Sequence, residues 1–430
     1  MAADVSETPI PDGESSALQP VAPDQRVFGW DAHASLWFSL GVGLLVMQVG
    51  AYLLPGVGTR DALLAVVLGS ALGSALLAWT AHLGARTGLT SAALMHHTYG
   101  ASFARLPILL NVAQLVGWTT FELVVMRDGT AAVARQSLGW DLSGTAGIVV
   151  TTALWGAVLT LLLRGSMTTL VRQTVSRYAL PLVFLSLVWL SWRFGQQLQT
   201  QGLDAFWNRE GDGSTSLLSA MDLVVSMPVS WLPLVADYAR FGRSKRGALG
   251  GTFVGYAVAN IWCFALGVVV VSVSQPDVDL VSALLLAQGG LIALSLILVD
   301  EIDNAYGDVY SGAVSGHTLR PAWSLRAWGL GLAVLCTALA MVLPMRSIEP
   351  FLLLLSSVFV PLYGVILGRW AGNAPVVPAQ RKVDYLAAAI WVLGIAAFHL
   401  LANALPQWGS TLPTLGLTFL LARVTRTGDR

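Results

Sequence analysis

The sequence predicts an all-α integral membrane protein of about twelve transmembrane helices, and three observations predict it. Of its 430 residues 55% are hydrophobic and 11% charged, whereas soluble domains carry about 25% charged residues to keep their surfaces in water. Apolar runs near the roughly 20 residues that cross a hydrocarbon core recur along the whole chain. Lysine and arginine sort by alternate loops: with the N-terminus inside, all of the 24 except Arg60, Arg127, Arg135, Arg193, Arg209 and Arg346 fall on the cytoplasmic side. Short inner loops retain positive charge, so both termini are expected in the cytoplasm and the span count is even.

Residues 1–25 are polar and rich in Pro, Ser and acids, with no basic stretch leading into an apolar one. They read as a disordered cytoplasmic tail rather than a signal peptide. Apolar runs cut by Gly, Pro and charge clusters then place spans 1–6 at 34–54, 62–83, 106–126, 145–163, 177–195 and 217–238. Spans 7–12 follow at 248–273, 283–305, 326–344, 350–369, 384–404 and 409–423. Formal net charge is zero, which gives no global field for nucleic acid. Cys263 and Cys336 lie in apolar runs and suggest neither a disulfide nor a metal site. His96-His97 has no partner at metal-ligand spacing, and there is no His-Glu-x-x-His, Gly-x-Ser-x-Gly or P-loop. Nothing here supports a membrane hydrolase or an ATP-driven pump, so the chain is not expected to be an enzyme or to carry a cofactor.

Two spans five helices apart are interrupted. Span 1 carries Gly41, Gly43 and Gly50 beside Gln48, and span 6 carries Met227-Pro228-Val229-Ser230-Trp231-Leu232-Pro233. Two prolines five residues apart remove two helical donors and are expected to break span 6 at Ser230 and Trp231. Inverted-repeat transporters break the first helix of each repeat in this way, freeing backbone groups at the midplane; the simpler alternative is a proline kink.

Ionisable groups at membrane depth cost roughly 2.5–3.5 kcal/mol each, so they rarely occur without a partner or a role. In span 3, Trp118 and Glu122 are four residues apart and share a helical face. An indole stacks on a flat heterocycle while a carboxylate accepts from its N–H groups, and Trp231 would close the sandwich. The alternative is that Trp118 is packing and Glu122 pairs with Arg127. At the end of span 8, Asp300, Asp303, Asn304, Gly307, Asp308 and Ser311 form one polar stripe, with Glu301 beside it. Clustered carboxylates bind a small cation or hold a proton; alternatively the stripe is a solvated helix end, a reading with most weight at Asp308.

These residues resemble the nucleobase:cation symporter-1 family, which includes cytosine, hydantoin and hydroxymethylpyrimidine permeases. The resemblance rests on Gly84-Ala85-Arg86-Thr87-Gly88-Leu89-Thr90, His97-Thr98-Tyr99-Gly100, Gln114-Leu115-Val116-Gly117-Trp118 and Ala236-Asp237-Tyr238-Ala239-Arg240-Phe241-Gly242-Arg243. It implies a leucine-transporter-like fold. Residues 26–375 would form a ten-helix core (repeat one 34–195, repeat two 217–369), 376–423 two peripheral helices and 424–430 a cytoplasmic tail. It also implies substrate contacts at Trp118, Glu122, Trp231, Ser230 and Gln48. Many members have a Ser/Thr pair in span 8 that helps bind sodium, where this chain has Asp300, Glu301, Asp303 and Asn304. The coupling cation is therefore Na+ or H+.

The expected function is uptake of a small heterocyclic base across the inner (plasma) membrane by alternating access. A carboxylate favours an edge rich in N–H donors, which ranks aminopyrimidines such as cytosine and hydroxymethylpyrimidine above uracil, hydantoin and allantoin. The alternatives are another heterocycle, including a purine, an amino acid or amine, or a membrane receptor that binds without transporting.

Overall fold

The computed structural model describes residues 17–163, 180–275, 278–343, 348–372 and 381–427. The remainder of the expected N-terminal tail (1–16), the last residues of the C-terminal tail (428–430), and Arg164, Arg172, Arg177 and Arg346 of the charge sorting lie outside the described residues.

Each expected span coincides with helix. Spans 2 to 5 are Thr59–Thr87, Arg105–Leu138, Thr145–Leu162 and Leu180–Gln201; spans 7 to 12 are Lys245–Val273, Gly290–Leu319, Leu325–Val342, Ile348–Trp370, Tyr385–Ala404 and Thr411–Thr427. Among the described residues, eight helices are long and apolar enough to cross a membrane, and span 1 qualifies as a bent pair. Span 7 lies along spans 1 and 2, span 2 along span 6, span 3 along span 8, and span 12 along span 10. Glycines allow the tightest of these crossings: a Cβ on Gly267 of span 7 would sit 1.9 Å from the Met47 carbonyl, and one on Gly255 would sit 2.3 Å from that of Ala34.

Span 1 is fully broken. Its halves, Trp30–Ser39 and Leu44–Tyr52, meet at 62°, and Gly43 stands at the N-terminus of the second half in extended backbone. Span 6 is interrupted more gently. Leu217–Ser230 and Leu232–Ala239 are separated by Trp231 alone, which keeps right-handed helical backbone angles, and together they read as one straight-through span of 23 residues. The expected double break is therefore asymmetric. Pro233 brings no N–H, and the amide of Leu234 turns to the Trp231 carbonyl (3.1 Å). The Ser230 carbonyl is left free for a side chain of span 3.

Two expected boundaries move. Span 8 does not end near residue 305 but continues to Leu319, so the acidic stripe lies mid-helix, with Asp308 only 2% exposed. A solvated helix end is thereby excluded. The N-terminal tail also ends sooner than its composition suggests. The Val21 amide donates to Gly88 O (2.9 Å), the Arg26 guanidinium donates to Ala85 O (3.1 Å), and Thr90 Oγ1 donates to Ala17 O (2.7 Å). Residues 17–28 are thus strapped across the end of span 2 and reach the exit of span 6, where Phe28 N donates to Phe241 O and Arg243 N donates to Phe28 O.

Candidate functional site

The break in span 1 exposes the first amides of its second half, and a helix N-terminus is a site for negative charge. Glu301 occupies it. The Leu44 N–H donates to Glu301 Oε1 at 2.6 Å, and Asn304 Nδ2 donates to Glu301 Oε2 at 3.2 Å. The approach is so close that a Cβ at Gly43 would stand 3.1 Å from the same carboxylate. From the opposite side of the same cavity span 3 brings Glu122, buried, whose Oε2 has no hydrogen-bond partner. Carboxylates only accept, so a hydrogen bond between these two groups requires a proton on one of them. Among the described residues no lysine or arginine forms an ion pair with either. Arg127 instead pairs with Asp128 (2.7 Å) and donates to Ala340 O (2.6 Å), so Glu122 does not pair with it.

Gly43, Trp118, Glu122, Trp231, Glu301 and Asn304 line one central cavity of ≈ 10 Å³. Trp118 is fixed edge-on by Phe351 (centroids 5.3 Å, 72°), and Trp231 by Trp37 (5.9 Å, 85°). Each indole thus has its orientation set by a neighbouring ring before any ligand arrives. On the adjacent face of span 8, Asp300 Oδ1 accepts from the Ser39 hydroxyl at 3.0 Å, and the Asp303 carboxyl also reaches Ser39.

Two expected contacts fall elsewhere. Gln48 does not line the central cavity; its amide donates to Tyr52 Oη (2.5 Å) in the outer part of span 1. The Ser230 hydroxyl is likewise turned away, donating to Met227 O (2.7 Å), as hydroxyls in helices often do. Its carbonyl is the group presented inward, and it accepts from Gln114 Nε2 (3.0 Å). Asn111 Nδ2 similarly donates to Pro233 O and to Ser315 Oγ, both at 3.1 Å. Gln114, which the sequence offers only within a motif, and Asn111 and Ser39, which no motif contains, are thus further polar residues of this region. Their signal was a polar residue one or two turns from Trp118 or beside the glycine break.

A second, larger cavity of ≈ 640 Å³ lies between the far ends of spans 1, 6, 10 and 11, with Tyr52, Asp222, Glu349 and His399 in its wall. Leu223 of that wall and Met227 of the central cavity are one turn apart on span 6, so the two cavities are stacked along one helix.

With this geometry in hand, comparison with known proteins is decisive. Residues 20–415 match the family described as permeases for cytosine/purines, uracil, thiamine and allantoin. The chain belongs to that family. It is a membrane transporter of this class and not an enzyme. Among curated relatives, the cytosine permease of Escherichia coli (strain K12) is 24% identical over 391 residues, covering 88% of each chain. Among solved structures, Mhp1, a nucleobase-cation-symport-1 family transporter in a closed conformation with bromovinylhydantoin bound, superposes with a TM-score of 0.76 at 14% identity, over 95% of this chain and 93% of that one. A Na+-coupled sialic acid symporter superposes at 0.64 and 12% identity, over 94% and 90%. The expected all-helical transporter fold is therefore correct.

Proposed function

We propose that this permease imports an aminopyrimidine, cytosine or hydroxymethylpyrimidine, together with a proton. The observation that carries this reading is the buried Glu122–Glu301 carboxyl pair held between two fixed indoles. A base with an exocyclic amine beside a ring nitrogen offers donors to one carboxylate while its faces meet Trp118 and Trp231. Uracil and hydantoin put a carbonyl where that carboxylate needs a donor. Proton coupling follows from the same pair, because mutual repulsion between two facing carboxylates in a low-dielectric cavity favours taking up one proton. Base and proton each stabilise the closed site, so each raises the affinity for the other. The stacked outer cavity supports entry of the base along span 6. In this reading repeat one is 34–195 and repeat two 217–369, spans 11 and 12 are peripheral, and the protein sits in the inner membrane with both termini in the cytoplasm.

The test is accumulation of labelled cytosine in proteoliposomes under an imposed pH gradient or an imposed sodium gradient. The pH gradient is expected to drive accumulation without sodium. A requirement for sodium would overturn proton coupling, and binding without accumulation would favour a receptor.

A further inference from the structure

Below the Glu122–Glu301 pair, span 8 continues the same face with Asn304, Asp308, Ser311 and Ser315, in steps of three and four residues. Spans 3 and 8 run antiparallel and meet at two levels, where Glu122 and Glu301 line one cavity above and Asn111 donates to Ser315 Oγ (3.1 Å) below. Asp308 and Ser311 lie between these levels, opposite residues 114–118. Asp308 is 2% exposed and its Oδ1 has no hydrogen-bond partner; Gln114 Oε1, across the interface, has none either. The groups facing Asp308 are Glu122 of span 3, Tyr238 of span 6 and Cys336 of span 9. None is a cation, so this carboxyl is not the half of an ion pair.

The next group along is also unexplained by substrate binding. The Ser311 hydroxyl, buried and without a hydrogen-bond partner, is near the carboxyl of Asp237 in span 6, which is fully buried, accepts from the Ser91 amide at 2.9 Å on Oδ1, and has no partner on Oδ2. Asp237 is faced by Arg240, Tyr238 and Tyr363. Arg240 donates to Tyr310 Oη (3.3 Å) and stands just before the exposed run Arg243–Arg246. The stripe therefore joins the central cavity to the end of span 6.

We infer that Asp308, Ser311 and Asp237 form the route by which the proton leaves the central site, an assignment that rests on the proton-coupled reading above. The proton leaves the Glu122–Glu301 pair, which becomes doubly accepting, and is taken up by Asp308 Oδ1 about 10 Å along the helix, a distance that two waters would span. Asp308 passes it through the Ser311 hydroxyl, which donates its own proton to Asp237 Oδ2 as it receives one. Asp237 releases it to water beside Arg240, whose charge drives the departing proton outward. One proton enters and one leaves, with every carboxyl restored.

Two transport modes measured in the same proteoliposomes test this. Exchange of labelled for unlabelled cytosine needs no net proton release, whereas net uptake under a pH gradient does. Asp308→Asn is expected to slow net uptake and the accompanying internal acidification more than tenfold, leave exchange within about twofold of wild type, and leave cytosine binding unchanged. Wild-type net uptake in this variant would overturn the route. So would parallel loss of exchange and binding, which would make Asp308 a substrate or packing residue. If Asp308→Asn does not fold, Ser311→Ala carries the test on the same two readouts, and equal rates in both modes would reject the relay. Failure of proton coupling itself is distinguishable, because wild-type uptake would then cause no acidification.

Discussion

The interruptions of spans 1 and 6 lie five helices apart, yet they present opposite polarity. Span 1 is opened by glycine, bends by 62° and offers an amide, which Glu301 takes at 2.6 Å. Span 6 is loosened by proline, stays nearly continuous and offers carbonyls, which Gln114 and Asn111 take at 3.0 and 3.1 Å. Glycine supplies freedom and keeps its N–H; proline removes an N–H and strands an acceptor. The lesson is that a broken helix dictates the sign of its partner. A donor break recruits carboxylates; an acceptor break recruits amides.

The largest test of this contrast is Glu301→Gln. It retains an acceptor for Leu44 N but removes the charge, and charge-assisted hydrogen bonds are worth about 1.5–3 kcal/mol, so pH-driven uptake should fall about 10- to 100-fold. Glu122→Gln should fall comparably for cytosine, measured as initial uptake rate; unchanged uptake of aminopyrimidines would sink the role assigned to this carboxyl. Gly43→Ala comes next. Its methyl would stand 3.1 Å from the Glu301 carboxylate, and the displacement should cost about tenfold in apparent cytosine affinity with little change in folding yield. On the other break the expected effect shifts from transport to stability. Gln114→Leu leaves the buried Ser230 carbonyl unpaired, a loss of about 1–3 kcal/mol that should appear as a lower unfolding temperature in detergent. The smallest effect is expected for Arg127→Gln, whose partner Asp128 is 62% exposed, so uptake should stay within about twofold.

Much of this was legible in the chain. The long helices were visible because the bilayer demands about 20 apolar residues wherever a helix crosses. Trp118 and Glu122 declared themselves because an i, i+4 spacing is a geometric statement needing no tertiary information. The partnership of Glu301 with Leu44 was not legible, because it joins residues 257 apart through a backbone amide, and backbone groups carry no sequence signature. The end of span 8 was misjudged for a related reason. A polar stripe at a helix terminus and one facing a buried polar interface have the same composition, and only Glu122, Gln114 and Asn111 across the interface tell them apart. Gln48 and Ser230 were misplaced because each had a nearer hydrogen-bond partner on its own helix, Tyr52 and Met227.

The strap formed by residues 17–28 has a practical corollary. Through Gly88 and Phe241 it is fastened to the exits of spans 2 and 6 together, so a probe attached near Ala17 moves as a rigid outrigger of that bundle rather than as a drifting tail. Paired with a second probe beside the Arg369–Asp384 ion pair that joins spans 10 and 11, it would convert any rocking of one bundle against its neighbour into a single measurable length.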